Sequence, residues 1–165
     1  MNKLVMRAHV VTPNPTEAAL LLQKQPRDYG IGEDGTVTVE KACELINDLA
    51  MVYPKTLPIV KSVASENRIG VCIRFTKNNT ADIKKSVTKI LLGTRTPAPS
   101  VGGTGDLFSS LLVARWLQNK LNNQSNQHDK TVVIESVIKT MSKVMKSIQR
   151  ENMSDLPFRK LLHVV

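Results

Sequence analysis

Aromatic side chains are scarce, with three Phe, two Tyr and one Trp in 165 residues. So few rings exclude a groove that holds nucleic acid by stacking its bases. The excess of 23 Lys and Arg over 14 Asp and Glu, a net charge of +9, does not reverse that reading. The bases (Lys3, Lys24, Lys61, Lys84, Lys85, Lys130, Lys146, Lys160) are scattered rather than gathered in a stripe. They read as a solvated surface that attracts anions, a polyphosphate among them, with no nucleic-acid partner. Two cysteines, Cys43 and Cys72, are too few for a disulfide framework and lack metal-ligand spacing, so both read as core thiols in a reducing compartment. His9, His128 and His163 have no partners at ligand or triad spacing. No apolar run approaches the roughly 20 residues of a membrane span, and Arg7, His9 and two prolines break the N-terminus too early for a signal peptide. The expectation is a cytoplasmic protein with no membrane partner.

What is present is enough apolar residue, 41% of the chain, for one domain over 1–165, since a chain of this size removes roughly two thirds of its unfolded surface from water. Val10-Val11-Thr12 ends a short apolar run, and Pro13 and Pro15 force an extended turn before a helix that reads as capped by Thr16, with Glu17 in its first turn. Thr38 is placed to cap a second helix, whose Ala42, Leu45, Ile46 and Leu49 recur at helical spacing. Leu57 to Val60, Ile69 to Phe75 and Val87 to Leu92 read as strands. A loop from Gly93 to Gly105 leads to an apolar helix beginning near Asp106 and running through Leu107, Leu111, Leu112 and Leu117. After the polar stretch from Asn122, Ile134, Val137, Ile138, Met141, Val144, Met145 and Ile148 recur every three or four residues and predict a helix with one buried face. The tail from Met153 to Val165 is expected to form a further short helix. Strands alternating with helices predict an α/β layered fold.

The stretch Val101-Gly102-Gly103-Thr104-Gly105-Asp106-Leu107-Phe108 sets three glycines and an acid at the mouth of that apolar helix. A glycine turn before a helix lets backbone N–H groups converge where they lack helical acceptors, which suits a phosphate. The lysine and hydroxyl of a P-loop are missing, and the glycine spacing is not that of a dinucleotide fingerprint. Asp106 has two readings. In one it takes the proton of an alcohol attacking a phosphoryl group while the N–H groups of Thr104 and Gly105 stabilise the transferring oxygens. In the other it caps a helix that the glycines merely turn into.

The stretch GTGDLF followed by an apolar helix resembles the anion-hole and catalytic-base motif of the ribokinase-like small-molecule kinases, and Leu107-Phe108 is most similar to the pyridoxal kinase branch. About ninety residues upstream, Val11-Thr12-Pro13-Asn14-Pro15-Thr16-Glu17 resembles the TPN…E segment of that family. The resemblance implies a ribokinase-like layered fold with a mostly parallel central sheet, truncated to its C-terminal half. It implies transfer of the ATP γ-phosphoryl group to the 5′-hydroxymethyl of pyridoxal, pyridoxine or pyridoxamine, with Mg2+ as cofactor. Asp106 would be the catalytic base, and Gly103, Thr104 and Gly105 the anion hole. Asn14 and Glu17 would organise the magnesium ion and phosphates, mostly through water. Lys61 and Ser62 fall where relatives commonly carry a threonine and a serine facing the nucleotide phosphates. Ser62 matches and Lys61 departs, either as a point charge on phosphate or as a solvated strand-end lysine. Against these roles stand structural ones: an Asx-type turn at Asn14 and a helix-dipole contact at Glu17.

Members of this family are about twice this length and often homodimeric, and the sequence begins almost at the TPN segment. The expectation is that most of the vitamin pocket lies in the half not represented, and that an unpaired strand edge is left near Val10-Val11. The loop before the glycine motif is also shorter than in relatives. A phosphate- or nucleotide-binding domain without catalysis, or one needing a partner chain, is the alternative to a kinase.

Overall fold

In the computed structural model, which describes residues 2–76, 86–95, 103–121 and 127–150, the β-branched runs gather into one sheet. The expected helix in the tail, residues 96–102 of the glycine loop and the side chain of His128 lie outside the described residues. The chain divides into two compact units, Met1–Leu92 and Gly93–Val165.

The first unit contains α1 (Asn2–Val5), β1 (Val10–Val11), α2 (Pro15–Leu21), a 3-10 turn (Pro26–Tyr29), β2 (Val37–Thr38), α3 (Val39–Val52), β3 (Leu57–Ser65), β4 (Arg68–Thr76) and most of β5 (Ser86–Thr94). The sheet order is β1-β3-β4-β5, with β2 also paired to β3. Both β1 and β2 run parallel to β3, at Val10↔Leu57 and Val37↔Val63, whereas β4 folds back antiparallel. One strand therefore carries two short parallel neighbours in succession, with a gap between them.

That gap coincides with a bulge. Val60 pairs with Cys72 and Val63 with Gly70, so β3 spends one residue more than β4 over the same interval. The extra residue alters the parity of the strand. Val60 and Val63, which an even alternation would send to opposite faces, both enter the core with Cys72, Ala18, Ala19, Leu21 and the α3 residues Ala42, Leu45, Ile46 and Leu49. Burying a side chain such as Leu45 or Ile46 contributes roughly 1.5–3 kcal/mol. The strand expected to stop at Val60 thus continues to Ser65, because the bulge preserves its buried face.

Thr38 caps α3 as its position predicts, its hydroxyl accepting from the Lys41 N–H at 3.3 Å. The cap of α2 differs from expectation. Asn14, not Thr16, is the capping residue, and Pro15 opens the first turn, where a missing N–H costs nothing. The Tyr53 hydroxyl donates to the Leu21 carbonyl at 2.9 Å and ties α2 to the end of α3. Asp48 receives the Tyr29 hydroxyl at 2.5 Å and Lys24 Nζ at 2.8 Å, which fastens the segment after α2 to α3. Those two donors, Lys24 first, hold the Asp48 carboxyl below its ordinary value. Farther along the sheet, a Cβ on Gly70 would overlap the Leu91 carbonyl, so β5 can approach β4 there only across a glycine.

The second unit pairs α4 (Thr104–Leu121) with α5 (Gln127–Arg150). In α4, Phe108, Leu111 and Leu112 are buried, while Leu117, expected on the apolar face, is exposed. The periodic face of α5 is buried at Ile134, Val137, Ile138, Val144 and Ile148. Met145 is partly buried and packs with Leu107 against Val144 and Ile148. The helix begins at Gln127, earlier than the polar stretch suggests, because the first turn of a helix tolerates polar residues.

Candidate functional site

The site residues expected from the sequence fall into two groups, one in each unit. In the first unit, the Lys61 N–H donates to the Pro13 carbonyl at 2.9 Å, extending the β1–β3 pairing beyond the last residue of β1. This bond sets the Asn14–Glu17 turn, just past the end of β1, beside the bulge in the middle of β3 that carries Lys61 and Ser62.

At that turn Asn14 Oδ1 accepts from the Glu17 N–H at 2.8 Å, and Glu17 Oε2 accepts from the Asn14 N–H at 2.8 Å. The two residues satisfy each other's orphan donors in a capping box, an arrangement in which the cap alone is worth about 1 kcal/mol. The structural reading of Asn14 and Glu17 is therefore realised, through a cap rather than a dipole contact. Glu17 Oε1 and Asn14 Nδ2 are left without a bond to any described residue. Ser62 lies in the left-handed region at φ 56, a conformation that L-residues other than Gly, Asn and Asp seldom adopt. The bulge forces this conformation. Lys61 is half-buried and makes no ion pair with a described residue.

In the second unit, Gly103 precedes α4 at φ 78, and its carbonyl accepts the Leu107 N–H at 2.9 Å. Gly103 is thus the capping residue, with no side chain to offer. The N–H groups of Thr104, Gly105 and Asp106 precede the first helical bond and have no acceptor within the helix. Asp106 is the third residue of α4, not its cap, and is exposed with no hydrogen bond or ion pair to a described residue. Ser109 Oγ donates to the Gly105 carbonyl at 3.0 Å, holding the opposite side of the first turn.

No cluster of three or more metal-ligating side chains occurs among the described residues. The free oxygen of Glu17 can accept from the water of an ion that keeps most of its hydration, as magnesium does, whereas the free Nδ2 of Asn14 is a donor and suits a phosphate oxygen. No helix among the described residues is long and apolar enough to cross a membrane.

Sequence reasoning missed two features of the site: the Pro13–Lys61 bond and the left-handed Ser62. Neither leaves a local signal, since both depend on the register of β3 with other strands. The Asn14 cap did leave one, in the order Asn-Pro-Thr-Glu, which places a capping amide, a first-turn proline and a reciprocal acid at the spacing of a capping box.

Neither a protein-family model nor a curated protein sequence matches the chain. Solved structures do. Trypanosoma brucei pyridoxal kinase superposes with a TM-score of 0.67 at 17% identity, covering 99% of this chain and 50% of that one. A Bacteroides thetaiotaomicron protein provisionally assigned as a phosphomethylpyrimidine kinase gives a TM-score of 0.65 at 19% identity, covering 98% and 49%. Leishmania donovani pyridoxal kinase, solved with ADP and ginkgotoxin, gives 0.64 at 18% identity, covering 93% and 44%. The chain spans about half the length of these structures. Its fold is the one that these structures share over about half of their length.

Proposed function

We propose that this chain belongs to a kinase that moves the γ-phosphoryl group of ATP to the 5′-hydroxymethyl of pyridoxal, pyridoxine or pyridoxamine. The observation that carries the reading is the start of α4, where a left-handed Gly103 supplies no side-chain cap, three backbone N–H groups remain outside the helical ladder, and an exposed Asp106, with no bond to a described residue, stands in the same turn. A helix start serving only its own stability would spend an acid at this position on its own N–H groups.

In the reaction, the Asp106 carboxylate accepts the proton of the substrate hydroxymethyl as its oxygen bonds to the γ-phosphorus, and the bond to the β-phosphate oxygen breaks, leaving ADP with the electron pair. The N–H groups of Thr104 and Gly105 stabilise the charge on the transferring oxygens. Gly103 keeps its side of the turn clear for the phosphate. Lys61 contributes a point charge and Ser62 a hydroxyl to the nucleotide phosphates. Magnesium, held through water by Glu17, would neutralise part of the phosphate charge, and the Asn14 amide would donate to a phosphate oxygen. The capping box fixes both side chains for those tasks.

The half-length coverage of the matched kinases favours a second reading, in which this chain binds nucleotide but completes a site only with further polypeptide. Incubating the purified chain with pyridoxal and Mg-ATP, with Asp106→Asn in parallel, separates the two. Pyridoxal 5′-phosphate formed by the parent and lost in the variant supports the kinase reading. ATP binding without product in the parent supports the second. Turnover unchanged in Asp106→Asn removes the assignment of the base.

A further inference from the structure

Cys43 and Cys72 take no part in the chemistry above, yet the fold stacks them on each other. The level of α3 on β4 is set by a hydrogen bond from Arg74 Nη1 to Asn47 Oδ1. Cys43 lies four residues before Asn47 on the helix, and Cys72 two residues before Arg74 on the strand. A helix rises about 1.5 Å per residue and a strand about 3.3 Å, so each step covers roughly 6 Å and returns to the same face of its element. The two steps also point the same way. α3 returns the chain from β2 to its parallel neighbour β3 and so runs against both, and β4 is antiparallel to β3. Cys43 therefore stands over Cys72, and it packs against the core cluster that contains Cys72.

Their surroundings differ. Cys72 is fully buried in the core, where desolvation, followed by the neighbouring Cys43, pushes its thiol up to about 12. Cys43 is half-buried at the margin of that core and is the more exposed residue of the two.

We propose that Cys43 and Cys72 are an oxidative modification site, closing to an intramolecular disulfide by exchange with a small-molecule disulfide. The Cys43 thiolate attacks one sulfur of that disulfide, forming a mixed disulfide and expelling the first small thiolate. Cys72, giving up its proton to the departing thiolate, then attacks the Cys43 sulfur, closing the protein bond and expelling the second. Two protein thiols and one small disulfide become one protein disulfide and two small thiols, which carry away both protons. Cys72 pairs with Val60, the last residue before the bulge at Lys61 and Ser62, so the new bond would fasten α3 to the strand pair next to that bulge. In a reducing compartment the pair stays open, which makes the bond a reversible response to oxidation and not a permanent part of the framework.

The test is to hold the folded chain with oxidised glutathione, quench with an alkylating agent, and read free thiols and intact mass. The expected result is loss of both thiols, a mass lower by two hydrogen atoms, no retained glutathione, and recovery of both thiols with dithiothreitol. In Cys72→Ser, Cys43 should instead keep one glutathione. Glutathione retained on Cys43 in the parent chain, a disulfide between two chains, or two unreacted thiols would each overturn the proposal. The parent measurement does not depend on either variant folding, and none of its readouts depends on kinase activity.

Discussion

Glu17 and Asp106 occupy the same place in their helices, the third residue after a capping position, and the chain uses them in opposite ways. At the start of α2, Asn14 and Glu17 close on each other's N–H groups and leave little of the helix start for anything else. At the start of α4 the cap is Gly103, which has no side chain to close with, and Asp106 keeps both oxygens. The difference lies in the residue three positions back: an amide there recruits the acid into the frame, whereas a glycine leaves it free. A closed start stabilises a helix, and an open one leaves backbone donors and a base for a substrate.

Removing the acid of the open start should have the largest effect. Asp106→Asn is expected to lower phosphoryl transfer by about 10²- to 10⁴-fold, the usual worth of a positioned base, while ATP affinity measured by calorimetry stays equal or rises. Equal losses of turnover and affinity would mean that Asp106 holds the turn together as Glu17 does. Next comes Gly103→Val, whose side chain must adopt a left-handed backbone at a cost of about 1–2 kcal/mol. It should lower the thermal midpoint and weaken nucleotide binding together. Opening the closed start should cost stability and ligand contact together: Asn14→Ala is expected to lose about 1 kcal/mol in denaturant unfolding along with magnesium-dependent ATP affinity, and Asn14→Asp to restore most of the stability. A large loss of nucleotide affinity in Asn14→Asp with stability intact would show that the amide meets the ligand as well as the helix. The smallest effect on stability should be that of Ser62→Gly. Relief of the left-handed strain, about 1 kcal/mol, roughly offsets the entropy that glycine loses on folding, so any drop in ATP affinity reports the missing hydroxyl.

Legibility followed the range of the forces involved. The face of α5, the Thr38 cap and the strands around Ile59 and Val71 are written in neighbouring residues, and the structure has them where the sequence puts them. The glycine turn before α4 was legible for the same reason, because a positive φ at Gly103 is a local demand. The two-residue strand β2 and the bulge were not, since Val37, Lys61 and Ser62 take their conformations from partners far away in sequence. Leu117 was misplaced because helical spacing alone does not show how wide a face the neighbouring helix covers. The α/β fold shared with the matched structures, by contrast, could be recognised from two short motifs although no family model matches.

The way β3 gathers its neighbours has a bearing on order of assembly. β3 and β4 are joined by a turn of two residues, Glu66 and Asn67, and their pairing closes almost no loop. β1 reaches β3 only by bringing Val10 to Leu57, with two helices' worth of chain between, and Pro13 meets Lys61 on the same terms. The hairpin can therefore stand while β1 peels away, and with β1 goes the placement of Asn14 and Glu17 beside the bulge. In native-state hydrogen exchange the amides of Leu57 and Lys61 should open at lower free energy than those that bridge β3 and β4. A ligand that spans the turn and the bulge would slow exchange at Leu57 and Lys61 first, making these two amides the most sensitive reporters of occupancy in this half of the molecule.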